Sequence, residues 1–171
     1  TDQDTVTTAE PRVKKMNAKE HGAVAADIDL AVGNAAETLL EVSHAIHGKP
    51  ELAFEEHFAC ALLSETLRDH DLNVETGVYS LETAFETTIN SERDGPTVAV
   101  LAEYDALPQI GHACGHNIIA TTALGATLAL NAVAQSLPGR VKLLGTPAEE
   151  RGGGKELMAR AGAFEGIDAA L

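Results

Sequence analysis

The chain has 171 residues, 44% of them apolar and 22% charged, with a formal net charge of −14. That length supports one domain with its own core, and the composition is that of an ordinary globular protein. So acidic a surface repels phosphate backbones and argues against a nucleic-acid partner. No apolar run approaches the roughly 18–20 residues that span a membrane.

Residues 1–22 are polar and without periodicity and read as a tail. From Asp27 to His47, apolar residues recur at three- and four-residue steps (Ile28, Val32, Ala35, Leu39, Val42, Ile46), which predicts a helix capped by Asp27. Gly48 and Pro50 stop it. A second helix is predicted over Ala53–His70. Strands are predicted near Asn73–Tyr79, Thr83–Asn90 and Thr97–Tyr104, the last two separated by the turn sequence SERDGP. An Ala/Leu/Thr-rich helix follows over Asn117–Leu137, then a strand over Val141–Gly145, a short helix over Gly154–Ala163 and a strand from Ile167.

From residue 97 the order is strand, loop, helix, strand, loop, helix, strand. This predicts an α/β fold: a mixed, mostly parallel sheet flanked by helices. Ligands of such sheets bind beyond the carboxyl ends of the strands. AEYDALPQIGHACGH follows one predicted strand and TPAEERGGG another, so both polar clusters should open on one edge.

Cys114 and His116 offer a thiolate and an imidazole, the usual ligands of Zn²⁺ and related ions, and i, i+2 spacing in an extended loop turns both to one side. The plainer alternative is a buried thiol beside a histidine at a helix start. Glu149 and Glu150 can divide the work, one binding a metal and the other taking a proton from water; their alternative is to complement a helix dipole. Placement of the pair on the same edge as Cys114 and His116 favours the metal reading. Asp105 suits a carboxylate that orients a ligating histidine, or equally a turn residue. Glu103 has the same standing with less support.

Other readings fare worse. RGGGK at 151–155 lacks the phosphate-loop pattern, because Glu149 and Glu156 stand where Gly and Ser or Thr are needed. Its glycines instead suit close backbone approach to a metal or substrate. A thiol protease would need a base that no later loop supplies. His44 and His47 share a helix face but lack the glutamate of a zincin motif. The two cysteines, Cys60 and Cys114, make no disulfide framework, and with no recognisable signal peptide the expected location is cytoplasmic.

AEYDALPQIGHACGHN followed by GTPAEERGGGK resembles the metallopeptidase and amidohydrolase family that includes aminoacylase, indole-acetyl-amino-acid hydrolase and glutamate carboxypeptidase. It is most similar to the branch of p-aminobenzoyl-glutamate hydrolase and the β-alanyl-lysine-type dipeptidases. HGKPELAFEEH resembles the family's stretch near the amino terminus, and the likeness runs over about residues 40–171. Asn117 departs from the aspartate of the auxin-conjugate branch.

The resemblance implies Cys114, His116 and Glu150 as metal ligands, Glu149 as general base and Asp105 as the acid supporting the site. It implies Zn²⁺ or Mn²⁺, two ions in the full-length enzyme, with N-acyl amino acids or short dipeptides as substrates and a homo-oligomeric full-length form. It also implies histidine ligands and a lid or dimerisation domain that these residues do not contain. The expectation is therefore that residues 23–171 are the amino-terminal part of a longer catalytic domain. The alternative is a catalytically silent α/β domain with a partial metal site.

Overall fold

The computed structural model describes residues 16–91 and 93–171. The first helix, α1, spans Ala18–Gly48 and so begins well before Asp27. The reason is a capping box. The Asn17 side chain accepts from the Lys19 and Glu20 amides, and the Glu20 carboxylate accepts from the Asn17 amide. Residues 18–22 of the expected tail are thus helical, while residues 1–15 lie outside the described residues.

The second helix, α2, spans His57–Arg68. It starts later than expected because the Glu51 carboxylate accepts from the Phe58 and Ala59 amides and fixes the first turn there. Next come β1 (Val74–Thr76), β2 (Phe85–Asn90), β3 (Thr97–Ala102), α3 (His116–Ala132), β4 (Arg140–Gly145), α4 (Gly154–Arg160) and β5 (Ala169–Ala170). Residues 134–136, expected within the α3 helix, form a separate 3-10 turn.

The sheet is mixed, in the order β1-β2-β4-β3-β5. Strands β4, β3 and β5 are parallel, joined by the crossover helices α3 and α4, whereas β1–β2 and β2–β4 are antiparallel. One face of the sheet packs against α1, α2 and α3 through Val42, Ile46, Leu63, Leu67, Leu124 and Leu143. On the other face Leu144 packs with Met158 of α4 and Ala163. Adjacent Leu143 and Leu144 thus face opposite cores, as the period of a strand buried on both sides requires. Helix α1 lies close against α3 at Gly125, where a Cβ would come within 2.9 Å of Leu39 Cδ1.

The β3–β4 register pairs Ala102 with Gly145, so both strands end at the same level. Beyond that level Thr146 ties the ends together: its amide and hydroxyl both donate to the Ala102 carbonyl, at 2.7 and 3.0 Å. Residues 103–105 and 147–150 therefore leave the sheet side by side.

Candidate metal centre

His116 is the first residue of α3, entered through Gly115, whose φ of 80° a side chain would resist. Its ring is buried and its Nδ1 lies 2.9 Å from the Asp105 carbonyl and 3.0 Å from Asp105 Oδ1. A backbone carbonyl only accepts, so Nδ1 carries the hydrogen and donates. In the neutral imidazole this leaves the Nε2 lone pair free to ligate.

Nε2 faces three carboxylates: Glu103 Oε2 at 3.5 Å, Glu150 Oε1 at 3.6 Å and Glu149 Oε2 at 3.8 Å. Donor atoms of Glu103, His116 and Glu149 all lie within 4.8 Å of one another. Asp105 is fully enclosed: Oδ1 receives the imidazole N–H, and Oδ2 accepts from the Glu150 amide at 2.9 Å. One buried carboxylate thus orients both the histidine and the loop that carries the two glutamates.

Cys114 is solvent-exposed, two residues before His116. Glu150 beside it pushes the thiol pKa up, first through a hydrogen-bonding interaction, with the charges of Glu150, Glu149 and Asp105 adding to the effect. The thiol stands at the rim of the acidic cluster, outside the close group of Glu103, His116 and Glu149.

Glu103 is the residue that sequence reasoning undervalued. It follows β3 directly, its carboxylate turns towards His116, and Lys155 forms an ion pair with it. The signal was its position two residues before Asp105 on the same edge of the sheet. The glycines of RGGGK also do something other than expected. A Cβ on Gly154 would lie 1.8 Å from the Pro147 carbonyl oxygen, and one on Gly152 would lie 2.3 Å from Phe54 Cε2. They admit close backbone and ring packing behind the glutamate loop.

The donor set fits a divalent cation. An imidazole lone pair and several carboxylates converge where, without a cation, like charges repel, and one of those carboxylates already holds the Lys155 ammonium.

Residues 99–171 match the model of Peptidase family M20/M25/M40. This segment is part of a Peptidase M20 family domain. The chain is 44% identical over 149 residues to the Xaa-Arg dipeptidase of Mus musculus, covering 80% of this chain and 35% of that protein. It is 31% identical over 163 residues to a p-aminobenzoyl-glutamate hydrolase chain of Escherichia coli, covering 84% and 34%. A solved Bacillus subtilis structure, a dinuclear metal-binding peptidase of the M20 family, superposes with a TM-score of 0.73 at 27% identity, covering 78% of this chain and 41% of that one. The chain thus spans about a third of the length of the curated relatives it matches. Among the described residues, no helix is long and apolar enough to cross a membrane.

Proposed function

We propose that this chain provides part of the active site of a metal-dependent amide hydrolase acting on N-acyl amino acids or short dipeptides, of the p-aminobenzoyl-glutamate or β-alanyl dipeptide type. The observation that carries this reading is the His116 imidazole, its Nδ1–H bound by Asp105 and its Nε2 turned to Glu103, Glu149 and Glu150. Similarity to dipeptidases and to a hydrolase of an acylated glutamate supports the substrate class.

His116 and Glu150 would hold the ion, Zn²⁺ or Mn²⁺, with Glu103 as a further donor and Cys114 joining them from the rim of the cluster. A divalent cation bound here supplies Lewis acidity for polarising an amide carbonyl and acidifying water. Glu149, its side chain 39% exposed, can reach solvent. It takes the proton of the attacking water and returns it to the departing amine. Asp105 keeps the imidazole in the Nδ1–H tautomer and holds the Glu150 backbone in place. A second metal ion, a lid and a homo-oligomeric assembly would draw on residues of a longer protein, in which α1 and the elements after it would form the amino-terminal part of the catalytic domain.

Among the described residues, the one group whose donor atoms lie within 4.8 Å of one another is Glu103, His116 and Glu149, which counts the proposed base among the donors. That favours a second reading, in which this chain alone binds metal but does not hydrolyse amides. The experiment is metal analysis beside hydrolysis of an N-acyl amino acid and a β-alanyl dipeptide, by this chain and by a chain extended to the length of its relatives. Glu149→Gln in the extended chain should lower turnover by about 10²–10⁴. Full turnover in that variant would remove the base assignment.

A further inference from the structure

The stretch HGKPELAFEEH contributes no donor to the metal centre, yet it carries near its end a glutamate with 0% exposure, Glu56. Burying a carboxylate is costly unless its oxygens are bonded. Both are. Oε2 accepts from the Thr83 hydroxyl at 2.9 Å, and Oε1 accepts from the Ala148 amide at 2.8 Å. Ala148 directly precedes the Glu149–Glu150 pair and has a φ of 59°. A residue with a Cβ resists that left-handed conformation, because the Cβ crowds the following carbonyl oxygen, so something must hold it there.

We infer, on the basis of the functional reading above, that Glu56 is a positioning residue for the glutamate loop: its carboxylate clamps the Ala148 amide and thereby sets the direction in which Glu149 and Glu150 leave the sheet. The loop is pinned at three points. Ala148 donates to Glu56, its carbonyl accepts from the Gly154 amide at 3.1 Å, and the Glu150 amide donates to Asp105. The second oxygen of Glu56 reaches the other loop of the site. Thr83, which donates to it, accepts through its carbonyl from the Tyr104 hydroxyl at 2.6 Å, and Tyr104 stands between Glu103 and Asp105. Tyr104, Thr83, Glu56 and Ala148 are all buried, so they form a closed polar chain between the two functional loops.

Helix capping does not account for Glu56. It stands at the N-cap of α2 but makes no side-chain cap bond; Glu51 caps that helix instead. The Glu51 carbonyl also accepts from the Ala106 amide at 2.8 Å, so this one stretch braces both loops.

The test uses the 171-residue chain, amide-resolved NMR and Co²⁺ titration. In the unsubstituted chain the Ala148 amide should lie downfield and exchange slowly. Glu56→Gln keeps an acceptor of lower charge, so the Ala148 resonance should move upfield while the spectrum stays dispersed. Glu56→Ala should lose the protection, shift the Glu149 and Glu150 amides and weaken Co²⁺ binding by about tenfold or more, with Glu56→Gln restoring most of that affinity. An Ala148 resonance unmoved in Glu56→Gln, or Glu56→Ala with unchanged loop amides and Co²⁺ affinity, would overturn the inference. An unsubstituted chain that takes up no Co²⁺ overturns the metal reading instead, and the Ala148 resonance still decides whether Glu56 holds the loop.

Discussion

The buried carboxylate of Asp105 takes the Nδ1–H of His116 on one oxygen and the backbone N–H of Glu150 on the other, at 3.0 and 2.9 Å. A residue after β3 thus fixes both the first residue of α3 and the loop after β4.

Asp105→Asn follows directly. One face of an amide can still accept from His116, but the other then presents N–H to the Glu150 N–H, and two donors meet. Zn²⁺ affinity should fall about 10–100-fold with the fold retained, as measured by competition with a chromophoric chelator. Unchanged affinity would leave Asp105 as a turn residue only.

The Cys114 thiol should react slowly for an exposed cysteine. Glu150 raises its pKa, so at neutral pH less of it is the reactive thiolate. Alkylation of Cys114 should therefore speed up in Glu150→Gln, and in the unsubstituted chain it should rise steeply with alkaline pH. Cys60, buried and with its pKa pushed up to about 11, stays unreactive in both proteins. Peptide mapping after timed alkylation separates the two cysteines.

Burial raises the Glu56 pKa above its ordinary 4.5, against the opposing hydrogen bonds. A raised carboxyl pKa in the folded chain favours the native state below the unfolded value, and that contribution is lost as pH climbs through the folded value. Relative to Glu56→Gln, which cannot ionise, the unsubstituted chain should lose thermal stability as pH rises from below 4.5 and then level off. Parallel melting curves across the acid range would exclude a raised pKa.

Gly154→Ala should destabilise the chain by about 1–3 kcal/mol, the usual cost of an overpacked site, because its Cβ meets the Pro147 carbonyl oxygen rather than a yielding side chain. Denaturant unfolding measures it. A neutral change would mean that the loop shifts freely, contrary to the pinning at Ala148 and Glu150.

Much of this was legible in the sequence. Runs such as TVAVLAEY announce a buried strand, and chain order alone put the Asp105 and Glu149 loops on one edge of the sheet. The start of α1 was missed because residues 18–27 have little apolar periodicity; their helix rests on the Asn17–Glu20 capping box, a four-residue signal. The antiparallel share of the sheet was understated, since nothing in the sequence of β1 and β2 fixes strand direction. Glu56 was beyond sequence reasoning. Its partner Ala148 is 92 positions away, and no local pattern marks a carboxylate bonded to a distant amide.

The measurement that bears most directly on the metal centre is Zn²⁺ bound per chain in the unsubstituted protein, Glu149→Gln and Glu150→Gln. The two glutamates are neighbours with carboxylates 3.8 and 3.6 Å from His116 Nε2, so charge near the site changes equally in both variants. If Glu150 ligates and Glu149 serves as base, Glu150→Gln loses the ion while Glu149→Gln keeps it. Equal loss in both variants would contradict that division of labour, and no Zn²⁺ in the unsubstituted chain would contradict the metal centre itself.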